Sequence, residues 1–116
     1  MKELTCKIIE HDRFYKELIT EFIDQTEGLI LAQDSDRSCD IVFADFRSNT
    51  DEKLDSLGAE YLVVISSDQG HIHSYFKNEI TDYLFKPDLT FERFSKTIEK
   101  INAIRTASLI DKKSTV

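Results

Sequence analysis

The feature that most constrains the fold is a six-residue apolar run, Tyr61–Ser66, which ends in a hydroxyl group. A strand that is apolar on both faces is typical of the centre of a parallel sheet. Two other strand-like runs also end in polar groups. Asp40–Asp45 ends in a carboxylate, and Thr81–Phe85 is followed by Lys86 and Pro87. Because open α/β sheets place their ligands at the carboxyl ends of strands, we expect these three polar groups to share one pocket.

The whole chain alternates between strand and helix patterns. Strands are predicted at Leu4–Ile9, Leu29–Gln33, Asp40–Asp45, Tyr61–Ser66 and Thr81–Phe85. Helices are predicted from Asp12 to about Gln25, at Asn49–Leu57, at Ser67–Glu79, and from Asp88 or Thr90 to about Arg105. This alternation predicts an α/β fold with a doubly wound, parallel, five-stranded sheet.

Two helices carry apolar stripes that predict a buried face. The first stripe consists of Phe14, Leu18 and Phe22, with Tyr15, Ile19 and Ile23 beside them. The second consists of Phe91, Phe94, Ile98 and Ile101. Both stripes are expected to pack on the sheet.

The connection between the second and third strands lacks a helix pattern. Residues 34–39 are polar, whereas a parallel crossover usually contains a helix. If the second strand is about 17 Å long and the third lies about 10 Å away, the link spans about 19 Å. Six extended residues reach roughly 20–25 Å, so they cross only as a nearly straight strap. We expect this helix to be missing or very short, which would leave one sheet face beside strands one and three uncovered and prone to association.

Composition narrows the function classes. The 116 residues suit one domain, assigned to 1–105, with 106–116 as a tail or the start of a linker. A net charge of −7 argues against direct nucleic-acid binding. No apolar run is long enough for a membrane span, and the N-terminus has no signal-peptide pattern. Cys6 and Cys39 lie in or beside apolar strands, which predicts buried thiols in a reducing cytoplasm.

Enzymatic classes on the same fold have little support. The chain has three glycines and neither a P-loop nor a GxGxxG motif, so a nucleotide-binding site is not indicated. No Ser-His-Asp arrangement stands out, and fold alone does not imply activity. We expect that the chain is not an enzyme.

The strand ends resemble those of response-regulator receiver domains in bacterial two-component signalling. The resemblance rests on Ile8–Asp12, Asp40–Asp45, Val63–Ser66 and Asp82–Pro87, and covers nearly the whole chain. The last segment is the most specific, because receivers typically carry an apolar strand that ends in Lys-Pro. With Phe91-Glu-Arg-Phe94 after it, it is most similar to receivers of LytTR-type regulators. The resemblance implies a flavodoxin-like receiver fold.

The resemblance also implies roles for four residues. Asp45 matches the phosphoacceptor, whose carboxylate attacks phosphorus. Lys86 matches the lysine that pairs with this acid and then with the phosphoryl group. Ser66 matches the hydroxyl that binds a phosphoryl oxygen, and Tyr83 matches the aromatic residue whose rotamer switches on that binding.

The implied metal site departs from the family pattern. Receivers usually carry two acids after strand one to hold Mg²⁺, and this chain has Glu10 and His11 there. Imidazole suits zinc, copper or nickel better than Mg²⁺, so Mg²⁺ binding is expected to be weakened. The ligands implied are Glu10, Asp45 and the backbone carbonyl of Arg47, with Asp12 as a substitute if the loop is shifted. Alternatively, the Arg47 guanidinium pairs with Asp45 and takes the place of the cation.

Two hypotheses stay open. In the first, the chain is a receiver with an atypical active site that a partner histidine kinase phosphorylates on Asp45. In the second, it is a degenerate receiver that acts as a phosphorylation-independent interaction or homodimerisation module. Retention of Asp45, Ser66 and Lys86 favours the first hypothesis, whereas the altered acidic pair, Arg47 and the missing helix favour the second.

Overall fold

A five-stranded parallel sheet with strand order β2-β1-β3-β4-β5 forms the centre of the computed structural model, which describes residues 3–32, 39–45, 59–67 and 80–114. The strands are β1 (Leu4–Ile9), β2 (Leu29–Leu31), β3 (Ile41–Asp45), β4 (Tyr61–Ser66) and β5 (Asp82–Phe85). The helices in these ranges are α1 (Arg13–Gln25), a 3-10 turn (Lys86–Asp88) and α2 (Phe91–Ser114). This order is that of flavodoxin-like folds, which confirms the predicted fold class. The helix predicted at Asn49–Leu57 lies outside the described residues, as does the helix predicted at Ser67–Glu79 apart from Ser67 itself.

Helix α1 begins at the predicted N-cap. The Asp12 side chain accepts a hydrogen bond from the Phe14 backbone N–H at 2.9 Å, which satisfies one of the helix's unpaired donors. The chain turns after the helix at Gly28, whose φ of 91° lies in the left-handed region that glycine adopts without strain. Its carbonyl accepts from the Leu4 N–H, so the turn delivers β2 directly alongside β1.

Helix α2 begins after Thr90, whose hydroxyl accepts from the Arg93 N–H at 3.2 Å. The helix continues to Ser114, well past the end predicted near Arg105. The apolar stripe does not continue through residues 106–114, but these residues include no glycine or proline. The helix therefore extends through them without an apolar face. The assignment of 106–116 as a tail or linker remains a prediction.

Both helices cover one face of the sheet and build the main core there. The buried members include Ile19, Phe22, Ile23, Phe43, Phe94, Ile98 and Ile101. The helix stripes are buried only in part, because Phe14 is 65% exposed and Phe91 is 40% exposed. Each lies in the first turn of its helix, at the end of the element rather than over the middle of the sheet. The expectation that both residues belong to the core was therefore wrong.

The opposite face of the sheet carries a smaller cluster of Cys39, Val42, Ala44 and Val64. Val42 and Ala44 on β3 have no exposed surface, so the expected lack of cover beside β3 was wrong. Ala59 and Ile80, which flank β4 and β5 in the chain, pack against this cluster. Exposed apolar side chains in the described strands are instead found on β2, at Ile30 and Leu31.

The strands β2 and β3 pair with different parts of β1, which lies between them, so the distance from the end of β2 to the start of β3 is short. Cys6 of β1 pairs with both Leu31, the last residue of β2, and Ile41, the first residue of β3. The chain therefore leaves β2 and enters β3 at the same level, about 10 Å apart. The assumption that the connection runs back along the full length of a strand of about 17 Å was wrong, because β2 and β3 are staggered along β1. Residues 33–38 lie outside the described part of the chain, so the prediction that a helix is missing or very short there stays a prediction.

Backbone bonds to β1 hold both ends of this connection. Ala32 N–H donates to the Cys6 carbonyl at 2.7 Å, and Asp40 N–H donates to the Thr5 carbonyl at 3.0 Å. The Asp40 carboxylate accepts in return from the Thr5 N–H at 2.9 Å. Ala32 and Cys39 both pack in the smaller cluster, so the two ends lie on the face opposite the helices. This is the face that a right-handed crossover requires.

Both cysteines are buried, as predicted. Burial raises the pKa of the Cys6 thiol to about 12, and the neighbouring Cys39 and Asp40 add to this effect. Within the described ranges, no helix combines the length and the apolar character that crossing a membrane requires.

A hydrogen-bonded network joins the start of β5 to α2. The Asp82 carboxylate accepts from the Thr97 hydroxyl at 2.7 Å and from the Arg93 guanidinium at 3.2 Å and 3.4 Å. It also accepts from the Tyr83 N–H at 2.8 Å, while Arg93 donates to the Tyr83 carbonyl at 2.9 Å. Burial alone raises the pKa of Asp82, but the hydrogen bonds from Thr97, Arg93 and Tyr83 outweigh it and hold the pKa below 3.8.

Asp82→Asn is expected to reduce the pH dependence of stability. Because the folded-state pKa is lowered, wild-type stabilisation by the Asp82 carboxylate is present above about pH 4 and declines as pH falls below 3.8. The unfolding free energies of wild type and Asp82→Asn should therefore converge between pH 4 and pH 2, as measured by urea denaturation. Asp24→Asn, at an exposed position on α1, should show no such convergence. A constant difference across this range would contradict the assignment.

Candidate functional site

Lys86 lies just after β5 at the carboxyl edge of the sheet, between two carboxylates. Its Nζ is 2.9 Å from Asp45 Oδ2 at the end of β3 and 2.9 Å from Glu10 Oε2 just after β1. All three residues are buried, with exposed fractions of 5% for Lys86, 2% for Asp45 and 8% for Glu10. The predicted pairing of Asp45 with Lys86 is thus present, and the structure adds Glu10 as a second partner of the ammonium.

The strand order explains why a lysine makes these contacts. Successive strands lie about 4.8 Å apart, and β4 separates β5 from β3. Only a long side chain at the end of β5 reaches across β4 to Asp45. The Lys86–Asp88 turn, which contains Pro87, ends the strand at this point and directs the chain toward α2. Position and side-chain length together place the ammonium between the carboxylates.

The three groups carry a net charge of −1 when all are ionised. Burial alone lowers the pKa of Lys86, but the hydrogen bond and charge of Asp45, followed by the nearby charge of Glu10, outweigh it and raise the pKa above 10.5. Lys86 is therefore an ammonium at neutral pH. The remaining negative charge makes the site attractive to a further cation.

Glu10 is held by the loop between β1 and α1. Its Oε1 accepts from the Asp12 N–H at 2.9 Å, while Oε2 faces Lys86 at ion-pair distance without an aligned hydrogen bond among the described residues. The Asp12 carboxylate caps α1, which does not support its suggested role as a substitute metal ligand. His11 is exposed. Glu10 is thus the acid of this loop that enters the site.

Tyr15 is a site residue that sequence reasoning missed. Its ring centroid lies 4.8 Å from Lys86 Nζ, within the range of a cation–π interaction. The apolar periodicity of α1 identified Tyr15 only as a core residue, and it does pack against the main core. One signal was available, since a short loop after β1 brings the first turn of α1 to the carboxyl edge of the sheet.

Ser66 and Tyr83 lie on neighbouring strands, where Ser66 pairs with Phe85 and Tyr83 pairs with Val64. Ser66 is fully buried at the end of β4, one residue past Ile65, which pairs with Asp45. Tyr83 is half-buried and packs against the smaller cluster on the face opposite the helices. Arg47, the third implied metal ligand, lies outside the described residues.

The oxygen donors of Glu10 and Asp45 suit Mg²⁺, which proteins often bind through one or two carboxylates together with water. Glu10 Oε2 has no aligned hydrogen-bond donor in the described part of the chain, so a lone pair faces the site. These residues therefore fit the implied ion. The described residues contain no cluster of three or more His, Cys, Asp or Glu side chains that could hold a metal without help.

Comparison with solved structures identifies similar folds. The response regulator CheY-like protein of Mesorhizobium loti has a TM-score of 0.67 and 14% identity, over 84% of this chain and 98% of that chain. The N-terminal domain of an uncharacterized protein of Wolinella succinogenes has a TM-score of 0.65 and 20% identity, over 91% and 98%. The response regulator domain of Thermotoga maritima CheB has a TM-score of 0.60 and 15% identity, over 91% and 96%.

The sequence itself has no match among the family models or the curated proteins with which it was compared. The structural matches nevertheless extend over nearly the full length of the matched receivers. The strand order agrees with this likeness. The chain therefore has the fold of response-regulator receiver domains.

Proposed function

We propose that this chain is a receiver domain of a two-component system, with an atypical active site in which Asp45 accepts a phosphoryl group. The main support is the buried Lys86 ammonium, 2.9 Å from both Asp45 and Glu10. A buried ion pair contributes little to stability compared with apolar packing, so a purely structural role explains it poorly. Groups of this kind at a ligand-binding sheet edge are candidates for function.

Asp45 provides the nucleophile in this proposal. One of its carboxylate oxygens forms a bond to phosphorus while the bond from phosphorus to the donor's leaving group breaks, and the leaving group keeps the electron pair. The Lys86 ammonium offsets the negative charge of the phosphoryl oxygens, and the Ser66 hydroxyl donates a hydrogen bond to one of them. The Tyr83 ring then changes its rotamer to report this bond.

Mg²⁺ is the proposed cofactor, held by Glu10, Asp45 and the Arg47 carbonyl. When bound, it supplies charge neutralisation during in-line phosphoryl transfer. Because Glu10 also faces Lys86, we expect weaker metal affinity than a site with two acids provides. The proposed phosphodonor is a sensor histidine kinase in the cytoplasm, by analogy with the response regulators that share this fold.

The test is intact mass after incubation with a small phosphodonor and Mg²⁺. We expect wild type to gain one phosphoryl group, and Asp45→Asn and metal-free samples to gain none. Asp88→Asn, at an exposed position two residues after Lys86, is the matched control and should be modified like wild type. Folding of each variant is verified by circular dichroism. Absence of modification in folded wild type would contradict the proposal.

A degenerate receiver is the second candidate, supported by a different observation. Asp45 is 2% exposed and accepts a hydrogen bond from Lys86, which also forms an ion pair with Glu10. If this closed arrangement persists in the presence of Mg²⁺, the domain acts by binding a partner or a second copy of itself. Lack of phosphorylation combined with concentration-dependent association in analytical ultracentrifugation would favour this candidate.

A further inference from the structure

We infer that Tyr15 is a positioning residue whose ring holds the Lys86 ammonium against Glu10 and Asp45. Its effect on phosphoryl transfer rests on the function proposed above, but the placement of the ammonium is measurable without any transfer. Apolar periodicity had assigned Tyr15 to the core alone.

The contacts of the ammonium carry this inference. Lys86 Nζ meets Asp45 Oδ2 and Glu10 Oε2 at 2.9 Å each, and the Tyr15 ring centroid at 4.8 Å. The Lys86 side chain is only 3% exposed, so little water solvates it. The electron-rich face of an aromatic ring attracts a cation, most strongly where water is excluded. The Tyr15 ring is thus the third group that contacts the ammonium, beside the two carboxylates.

The ring is itself fixed by the same loop that holds Glu10. Asp12 caps α1 through the Phe14 N–H, and its own N–H binds Glu10 Oε1. Tyr15 therefore lies in the first turn of a helix whose start is tied to the site. Phe14 packs edge-on against the Tyr15 ring, with centroids 5.1 Å apart. These contacts hold the Tyr15 ring beside the Lys86 ammonium.

An aromatic ring supports Lys86 in a way that a third carboxylate cannot. During transfer, the ammonium must leave Asp45 and contact phosphoryl oxygens while it remains in the site. A third carboxylate would compete for the ammonium with its full charge and repel the incoming anion. A neutral ring attracts the ammonium more weakly and adds no negative charge. Tyr15 thereby keeps Lys86 in place and lets it change partners.

Nuclear magnetic resonance tests the contact directly. In wild type we expect the Lys86 ε-methylene protons to resonate upfield of other lysines, because they lie near the ring. Tyr15→Leu and Tyr15→Met should move them to ordinary lysine shifts, whereas Tyr15→Phe should retain the upfield position. Phe91→Leu is the matched control, because Phe91 lies at the start of α2 and its ring packs against Phe22 of α1 rather than against Lys86. Unchanged Lys86 shifts in folded Tyr15→Leu or Tyr15→Met would overturn the inference.

Phosphorylation kinetics test the role. We expect Tyr15→Leu to slow modification of Asp45 by roughly 10-fold, with Tyr15→Phe within about 3-fold of wild type. A wild-type rate in Tyr15→Leu, with the Lys86 shift lost, would overturn the positioning role. If wild type itself is not modified, the proposed function fails, and the Lys86 shifts alone then decide whether Tyr15 positions the ammonium.

Discussion

Lys86→Met is expected to lower the free energy of unfolding by about 3–5 kcal/mol at neutral pH, because it leaves two carboxylates buried without their cation. Glu10 and Asp45 have side-chain exposures of 2% and 3%, so water cannot replace the ammonium without opening the site. Methionine preserves much of the apolar stem of lysine, which limits the loss of packing. The measurement is urea denaturation of both proteins at pH 7.

A triple variant separates the effect of charge from the effect of packing. The triple variant Glu10→Gln, Asp45→Asn, Lys86→Met has no buried charge in this cluster and should recover most of the loss. Equal stability of wild type and Lys86→Met at pH 7 would contradict the described ion pair.

The wild-type ion pair also makes a prediction at high pH. The pKa of Lys86 is raised above 10.5, so its stabilising contribution is complete below that value and declines as pH rises through the folded-state pKa. The difference in stability between wild type and Lys86→Met should therefore narrow above about pH 10.5. The stabilisation by Lys86 is thus lost as pH rises, whereas the stabilisation by Asp82 is lost as pH falls.

Phe94→Ala is expected to cost about 3–5 kcal/mol of unfolding free energy, the usual range for removal of a buried aromatic ring. Phe94 has no exposed surface and lies between Phe43 of β3 and Phe22 of α1, with ring centroids 5.4 Å apart in both pairs. Phe94 therefore joins α2 to both the sheet and α1. The loss is measured by urea denaturation.

Phe94→Leu controls for the size of the cavity. Leucine fills part of the space, so its cost should be clearly smaller than that of Phe94→Ala. Phe91→Ala removes a ring that is 40% exposed at the start of the same helix and should cost less still. If Phe91→Ala and Phe94→Ala lower the free energy of unfolding by similar amounts, the described difference in burial between the two rings would be contradicted.

Much of the fold was predictable because the pattern is local. An apolar strand such as Tyr61–Ser66 needs cover on both faces, which indicates a central parallel strand. Asp12 and Thr90 precede helical stripes and cap them as expected, since N-caps depend on neighbouring backbone N–H groups. The exposure of Phe14 was not predictable in this way, because periodicity identifies a helix face but not where the sheet beneath it ends.

The sequence by itself determined the parallel α/β class, the helix starts and the three polar strand ends, because each depends on residues close together in the chain. Only the tertiary structure decided the stagger of β2 and β3 along Cys6. It alone also brought Glu10 and Tyr15 to Lys86, and sheet order and helix placement set these distances. Contacts between residues more than 70 positions apart depend on how the elements pack, and no local pattern encodes that packing.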